Sequence, residues 1–364
     1  MRFAIRVLVF AAFALAAHSG GAAERSAAGA SRSAPAAADH GRFQPGALAM
    51  LPDDGRAIYL EAFAAARAEI RIGICVLFDQ EILEGLRRAL DRGVRLRVIV
   101  DGGRYAALPE EREQLAVQLT AAGAQLHLSN PIFPRSFAKV ILIDDRYAVV
   151  GSACLDPTTF AQYRDYAYVS ASRGLVRGLA RLFENDWRHS AAPGAPFPTY
   201  NPTPATTRSD LVVAPVDATY RLVRFFRTAR TSLDVTTELL GNPTLESELA
   251  AAAAAGVRVR LIAPETVNGA SAAEQALQTA SLRALKAAGV QVHVTRQPES
   301  PDTPYMHART AVADGRRAYL GSISLSPDST TRNREVGLIL DDRRLAQRLQ
   351  RQFDIDFAAK SQPY

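Results

Sequence analysis

The chain has 364 residues, 48% of them apolar and 22% charged, with a formal net charge of +6. That content can fill one large core or two ordinary ones, which excludes a disordered, collagen-like or small disulfide-scaffold protein. The modest positive excess suits anionic ligands such as phosphates, although in an Arg- and Ala-rich chain it is first a matter of solubility.

Arg2 and Arg6 flank the start, Val7 to Ala17 is an apolar run, and small residues lead to Ala23. This order predicts a secretory signal peptide over residues 1–23, since the run is too short to span a bilayer. Residues 24–45, rich in Ala, Ser, Gly and Arg, read as a flexible linker. The expected location is therefore periplasmic or secreted. Export permits a disulfide between Cys75 and Cys154, the only cysteines, with plain burial as the alternative.

From residue 46 a unit begins that occurs twice. A helical pattern over 51–69 precedes the strand pattern AEIRIGICVLFD near Ile72. An amphipathic helix then ends at Gly93, a C-cap position, and the strand RLRVIVDG follows. Next come AAGAQLHLS and the hairpin AKVILIDDRYAVVGSA, turning at Asp144-Asp145, and a final helix. Prolines crowd residues 191–207, forbidding helix interior and sheet ladder alike, and mark an interdomain linker. Beyond it the order returns: a helical pattern at 216–230, TSLDVTTELLGN, a helix to Gly256, AAGVQVHVT, and ARTAVADGRRAYLGSI turning at Asp314-Gly315. Residues 46–190 and 208–364 are thus two similar α/β domains facing each other.

The alignment is gapless over its last part. Lys139, Asp144, Gly151, Ser152, Arg164 and Asp165 recur 170 residues later as Arg309, Asp314, Gly321, Ser322, Arg334 and Glu335. Phe183, Asp186 and Trp187 recur as Phe353, Asp356 and Phe357. The second copy reads His307-x-Arg309-x4-Asp314-x6-Gly321-Ser322, and the first has Phe137 in place of the histidine. Positions two apart on a strand share a face, so His307 and Arg309 project together, as do Phe137 and Lys139. A nucleophile beside a fixed cation is what attack on a phosphodiester needs. Ser152 and Ser322 can add hydrogen bonds to a substrate. Asp144 and Asp314 suit turn positions better than acid–base work.

This duplicated pattern resembles the phospholipase D superfamily, whose signature is His-x-Lys-x4-Asp followed by Gly-Ser, twice in one chain. The resemblance covers nearly all of residues 50–360. It implies two pseudo-twofold-related domains, each a mixed central sheet flanked by helices, with the active site at their interface. It implies one histidine as nucleophile through a phosphohistidine, a second as acid and base, and no metal or other cofactor. It assigns the nucleophile to His307, the cations to Lys139 and Arg309, and its orientation to Glu335, 28 residues on in Asn333-Arg334-Glu335. Asp165 is then left without a histidine to orient. Ser152, Ser322, Asp144, Asp165 and Asn333 are the expected substrate-side residues, with Asp314 completing the motif.

The departures are Phe137, which can neither attack nor carry a proton, and Arg309, which keeps charge but changes reach. Glu238, the counterpart of Cys75, is a candidate for the missing proton carrier. Cys154 as nucleophile is the weaker reading than its burial or bridging. His127 and His293 also recur but alternate onto what reads as a solvated strand face. The expected substrate is a phospholipid-type phosphodiester, cleaved or transferred by a monomer that associates peripherally with membranes. The competing readings are a pseudoenzyme that binds phosphate head groups and an exported nuclease. Nucleic acid is disfavoured because no aromatic-rich basic stripe is present.

Overall fold

A computed structural model describes residues 42–201, 208 and 210–364. The expected signal peptide lies outside the described residues, as do most of the 24–45 segment and residues 202–207 of the proline-rich stretch. The described end of the 24–45 segment is fastened down. Phe43 packs against the first core, and its N–H donates to Glu61 at 2.7 Å.

The alternating β-branched runs become two sheets. Strands β1 (Leu48–Leu51), β2 (Glu69–Ile74), β3 (Arg95–Val100), β4 (Gln125–Leu128), β5 (Val140–Ile143), β6 (Tyr147–Gly151) and β7 (Tyr163–Ser170) form the first, in the order β1-β7-β6-β5-β2-β3-β4. In the second half, β8 (Leu211–Ala214), β9 (Ser232–Thr236), β10 (Arg258–Pro264) and β11 (Gln291–Thr295) come first. They are followed by β12 (Tyr305–Met306), β13 (Arg309–Ala313), β14 (Arg317–Gly321), β15 (Glu335–Leu340) and β16 (Gln362–Pro363). Without β12, these make the order β16-β11-β10-β9-β13-β14-β15-β8. Both sheets are mixed: β2-β3-β4 and β9-β10-β11 run parallel, and the hairpin strands pair antiparallel to them. The two halves are thus the same α/β unit, as the repeat requires.

Packing follows from the pleat. Ile141 and Ile143 face a core shared with the helices Ala57–Ala65 and Gln80–Asp91. Val140 and Leu142 face a second core that also takes Val312, Leu320, Val336 and Leu338 from the other half. That shared core makes the described residues one compact unit despite the repeat. Two ion pairs cross it in repeat-related positions. Arg164 meets Asp356 at 2.9 Å and Arg334 meets Asp186 at 3.1 Å.

Two sequence expectations need correction. The helices over 51–69 and 216–230 are shorter, Ala57–Ala65 and Ala218–Phe226, because Leu51 belongs to β1 and Glu69 to β2. A strand after each hairpin, β7 and β15, was not anticipated, and it carries Asp165 and Glu335.

The glycine of each Gly-Ser pair is explained by this extra strand. A Cβ on Gly151 would lie 2.0 Å from the Tyr166 carbonyl oxygen, and one on Gly321 2.4 Å from the Gly337 Cα. The neighbouring backbone passes too close for any side chain.

Candidate active site

The chemistry-bearing residues gather where the parallel strands end, the place where open α/β sheets commonly hold ligands. Cys75 directly follows β2 and Glu238 stands two residues after β9. One cleft is lined by Phe137, Lys139, Glu238, His307, Arg309 and Glu335, drawn from both halves.

The halves are joined by an exchange of strand ends. Tyr305 and Met306 of β12 pair in parallel with Tyr163 and Arg164 of β7. In the repeat-related place, the Phe137 and Ala138 N–H groups donate to the Arg334 carbonyl at 2.8 and 3.0 Å, and the Arg334 N–H donates to Arg135. Each motif strand therefore enters beside the other half's acid-bearing strand.

That exchange overturns the expected role of Glu335. His307 Nδ1 bonds the carboxylate of Asp165 at 2.8 and 3.0 Å, across the interface and 142 residues away. The orienting acid comes from the opposite half, so Asp165 has its histidine and Glu335 is the one left without. In the neutral ring an acceptor-only carboxylate keeps the proton on Nδ1, which leaves the Nε2 lone pair free for attack. The expected nucleophile is thus supported by Asp165, which is wholly buried.

Around His307 the second half is polar. Arg309 is ion-paired with Glu238, donates to the His307 carbonyl, and reaches Ser324 Oγ at 3.0 Å. Glu238 also accepts from the Tyr305 hydroxyl at 2.9 Å, and its Oε2 lies 3.9 Å from His307 Nε2. Burial would raise the Glu238 carboxyl, but Arg309 and then His307 outweigh it and hold it below its ordinary value. Glu238 therefore lines the site as a carboxylate, which suits it to hold Arg309 and makes it a poor proton donor.

The first half replaces this network. Cys75 and Cys154 form a disulfide in the positions matching Glu238 and Ser324. Of the two readings left open for these cysteines, the bridge holds, and Cys154 is no nucleophile. Lys139 donates to the Phe137 carbonyl at 3.3 Å and lies 5.1 Å from the Phe137 ring centre. Burial pulls its ammonium down to about 8, with Arg309 acting the same way and Glu335, Asp165 and Glu238 opposing. Phe137 packs partly on the first core and lines the cleft, so the lost histidine is replaced in place.

Other expected residues fall elsewhere. The Ser152 and Ser322 hydroxyls each accept a β7 or β15 backbone N–H at 3.1 Å, from Tyr166 and Val336. Both serines are 1% exposed and absent from the cleft lining, so they bind strands together, not substrate. Asp144 and Asp314 are also structural. Asp144 accepts the backbone N–H groups of Arg67, Ala68 and Glu69, and Asp314 those of Arg230, Thr231 and Ser232. Both sit at positive φ in their turns, 52° and 53°, where Asp is among the tolerated residues. Asn333 does line the cleft and donates to Glu335 Oε1 at 3.2 Å. His127 and His293 are not simply solvated: they stack on Trp187 and Phe357 with ring centres 3.8 and 3.6 Å apart.

Arg104, Arg135 and Asn268 at the cleft wall were missed, as was Tyr305 beside His307. The 170-residue offset that links Arg135 to Tyr305 was the available signal, but their differing chemistry hides it.

Comparison with known proteins agrees with this architecture. The family model described as "Cardiolipin synthase, PLD-like domain" matches residues 59–187 and 222–357. Cardiolipin synthase 1 of Bacillus anthracis is 29% identical over 113 residues, 31% of this chain and 22% of that protein. Mitochondrial cardiolipin hydrolase of Xenopus tropicalis is 31% identical over 134 residues, 37% of this chain and 58% of that protein. In both cases the match spans less than two thirds of the relative's length. The crystal structure of phosphatidylserine synthase from Haemophilus influenzae superposes with a TM-score of 0.59 at 14% identity, covering 87% of each chain, which is a likeness of fold. With the family model matched in both halves, the chain belongs to the phospholipase D superfamily, in its cardiolipin-synthase-type PLD-like family.

Proposed function

We propose that the chain is an exported phosphodiesterase or phosphatidyltransferase that acts on phospholipid-type phosphodiesters through a phosphohistidine at His307. The observation that carries this is the Asp165–His307 hydrogen-bonded pair aimed into a cleft that also presents Lys139 and Arg309. Nε2 attacks phosphorus, Lys139 and Arg309 stabilise charge on the equatorial oxygens, and water or an alcohol then takes the phosphoryl group. Of these two cations, Arg309 already faces Glu238, whereas the Lys139 ammonium donates to the Phe137 carbonyl. The names of the relatives support a lipid substrate, and the disulfide suits the periplasmic or extracellular location proposed from the N-terminal segment. Association with the membrane surface is part of the same proposal.

The test is turnover of bis(4-nitrophenyl) phosphate and of phosphatidylglycerol vesicles by the wild type and by His307→Ala, with acid-stable and acid-labile phosphate adducts separated after quenching. Equal rates for the two proteins would remove the reading. Phe137 favours a second reading, a binder of phosphate head groups without turnover. That reading expects affinity for inorganic phosphate that falls on losing Lys139, and no adduct on His307.

A further inference from the structure

Two acceptor atoms in the cleft wall lack partners. Glu335 Oε2 and Asn333 Oδ1 are buried and have no hydrogen-bond partner among the described residues. Glu335 is 1% exposed and Asn333 6%, and both line the cleft. The remaining oxygen of Glu335 is pinned: Ser329 Oγ donates to Oε1 at 2.6 Å and Asn333 Nδ2 at 3.2 Å. One carboxyl oxygen is thus held by the protein, and the other is left without a protein partner in a residue that lines the cleft. Leaving a buried acceptor unmet is costly, so its persistence calls for a ligand, a water or a proton.

The repeat relates this carboxyl to Asp165. Asp165 stands one imidazole ring behind the attacking nitrogen of His307. By the repeat, Glu335 corresponds to Asp165 and Phe137 to His307, and Glu has one more methylene of reach than Asp. We propose that Glu335, released from orienting a histidine, is itself the proton carrier that replaces it, acting on the leaving group through one cavity water. The idea rests on the proposed function and adds the residue that function lacks.

The groups acting on Glu335 are consistent with the role. Burial holds its carboxyl above the ordinary value, and Lys139, Ser329, Arg309 and Asn333 oppose that shift. The Tyr319 phenol on β14 also interacts with it, and β8 opposes it only with Ala214. Burial favours the protonated carboxyl, which is the donor form, and Lys139 stabilises the carboxylate left after donation. In the first step His307 Nε2 bonds to phosphorus and the phosphorus–oxygen bond to the leaving group breaks. The leaving oxygen takes a proton from the water, which takes one from Glu335. In the second step an incoming water gives its proton back along the same path and its oxygen attacks phosphorus. The nitrogen–phosphorus bond then breaks, releasing a phosphomonoester and restoring both residues.

The experiment compares wild type and Glu335→Gln in the single-turnover release of the leaving group from two phosphodiesters, one with a 4-nitrophenyl leaving group and one with an alkyl alcohol, so that the second step, which both share, does not enter. Nitrophenolate leaves without a proton and an alkoxide does not. The expected result is a loss of about 10²–10⁴-fold on the alkyl diester and little change on the nitrophenyl diester. Equal losses on both would overturn the proposal and leave Glu335 a structural residue. If the Gln variant does not fold, the wild-type pH profiles decide. The alkyl diester should lose rate as pH rises through a carboxyl that the nitrophenyl profile lacks, and coincident profiles would overturn the proposal. Phe137→His should raise alkyl-diester turnover, since it restores a donor directly in front of Glu335. A wild type that forms no phosphohistidine with the nitrophenyl diester would instead remove the proposed function itself.

Discussion

Replacing Asp165 by Asn isolates the pairing across the interface. The carboxylate accepts from His307 Nδ1 with both oxygens, at 2.8 and 3.0 Å. The amide keeps the volume but offers a donor as well as an acceptor. A hydrogen bond to a charged group contributes about 1.5–3 kcal/mol, so its loss alone is worth roughly 10- to 100-fold, at about 1.4 kcal/mol per decade. The amide N–H also favours the tautomer with its proton on Nε2, which removes the attacking lone pair. In a nucleophile–histidine–acid triad that reversal brings the loss to about 10⁴-fold. The assay is the rate of phosphohistidine formation from bis(4-nitrophenyl) phosphate under single turnover, by wild type, Asp165→Asn and Glu335→Gln. We expect the Asn variant to lose about 10³–10⁴-fold and the Gln variant to stay near wild type with this leaving group. An active Asp165→Asn protein beside an adduct-free Glu335→Gln protein would refute the exchanged pairing and restore the within-half assignment.

Lys139→Met should raise stability by about 1–3 kcal/mol in denaturant titrations, because it removes a buried charge whose desolvation outweighs the pull of the nearby carboxylates, while abolishing phosphate binding. The folded Lys139 value, about 8, lies below its unfolded value of about 10.4. The charged lysine therefore opposes folding below about pH 8, and the opposition fades as pH rises towards about 10.4. Phosphate affinity runs the other way and should fall as pH passes about 8, a trend absent in the Met variant. Reducing Cys75–Cys154, which closes a separation of 79 residues, should cost about 4 kcal/mol and lower the thermal midpoint, checked with and without reductant. Gly151→Ala should lose both stability, by about 1–3 kcal/mol, and activity. Its Cβ would press on the Tyr166 carbonyl and displace the strand bearing Asp165, and wild-type melting would show the glycine to be dispensable.

The repeat and the motif spacing were properties of the sequence by itself. A constant 170-residue offset needs no coordinates, and it fixed the family, the two α/β halves and the replacement at Phe137. Periodicity of two and the turn residues placed β5, β6, β13 and β14, because alternation and turn chemistry are local. The partner of a side chain across an interface is not local. The sequence puts Glu335 28 residues from His307, yet the entry of Tyr305 and Met306 beside β7 brings Asp165 to the ring instead. Likewise Ser152, Ser322, Asp144 and Asp314 share the motif but not the cleft, because an unforeseen strand takes up the serines and the strand starts take up the aspartates. Spacing along a chain fixes which residues share a strand face. Only the packing of one half against the other decides which acid meets which base.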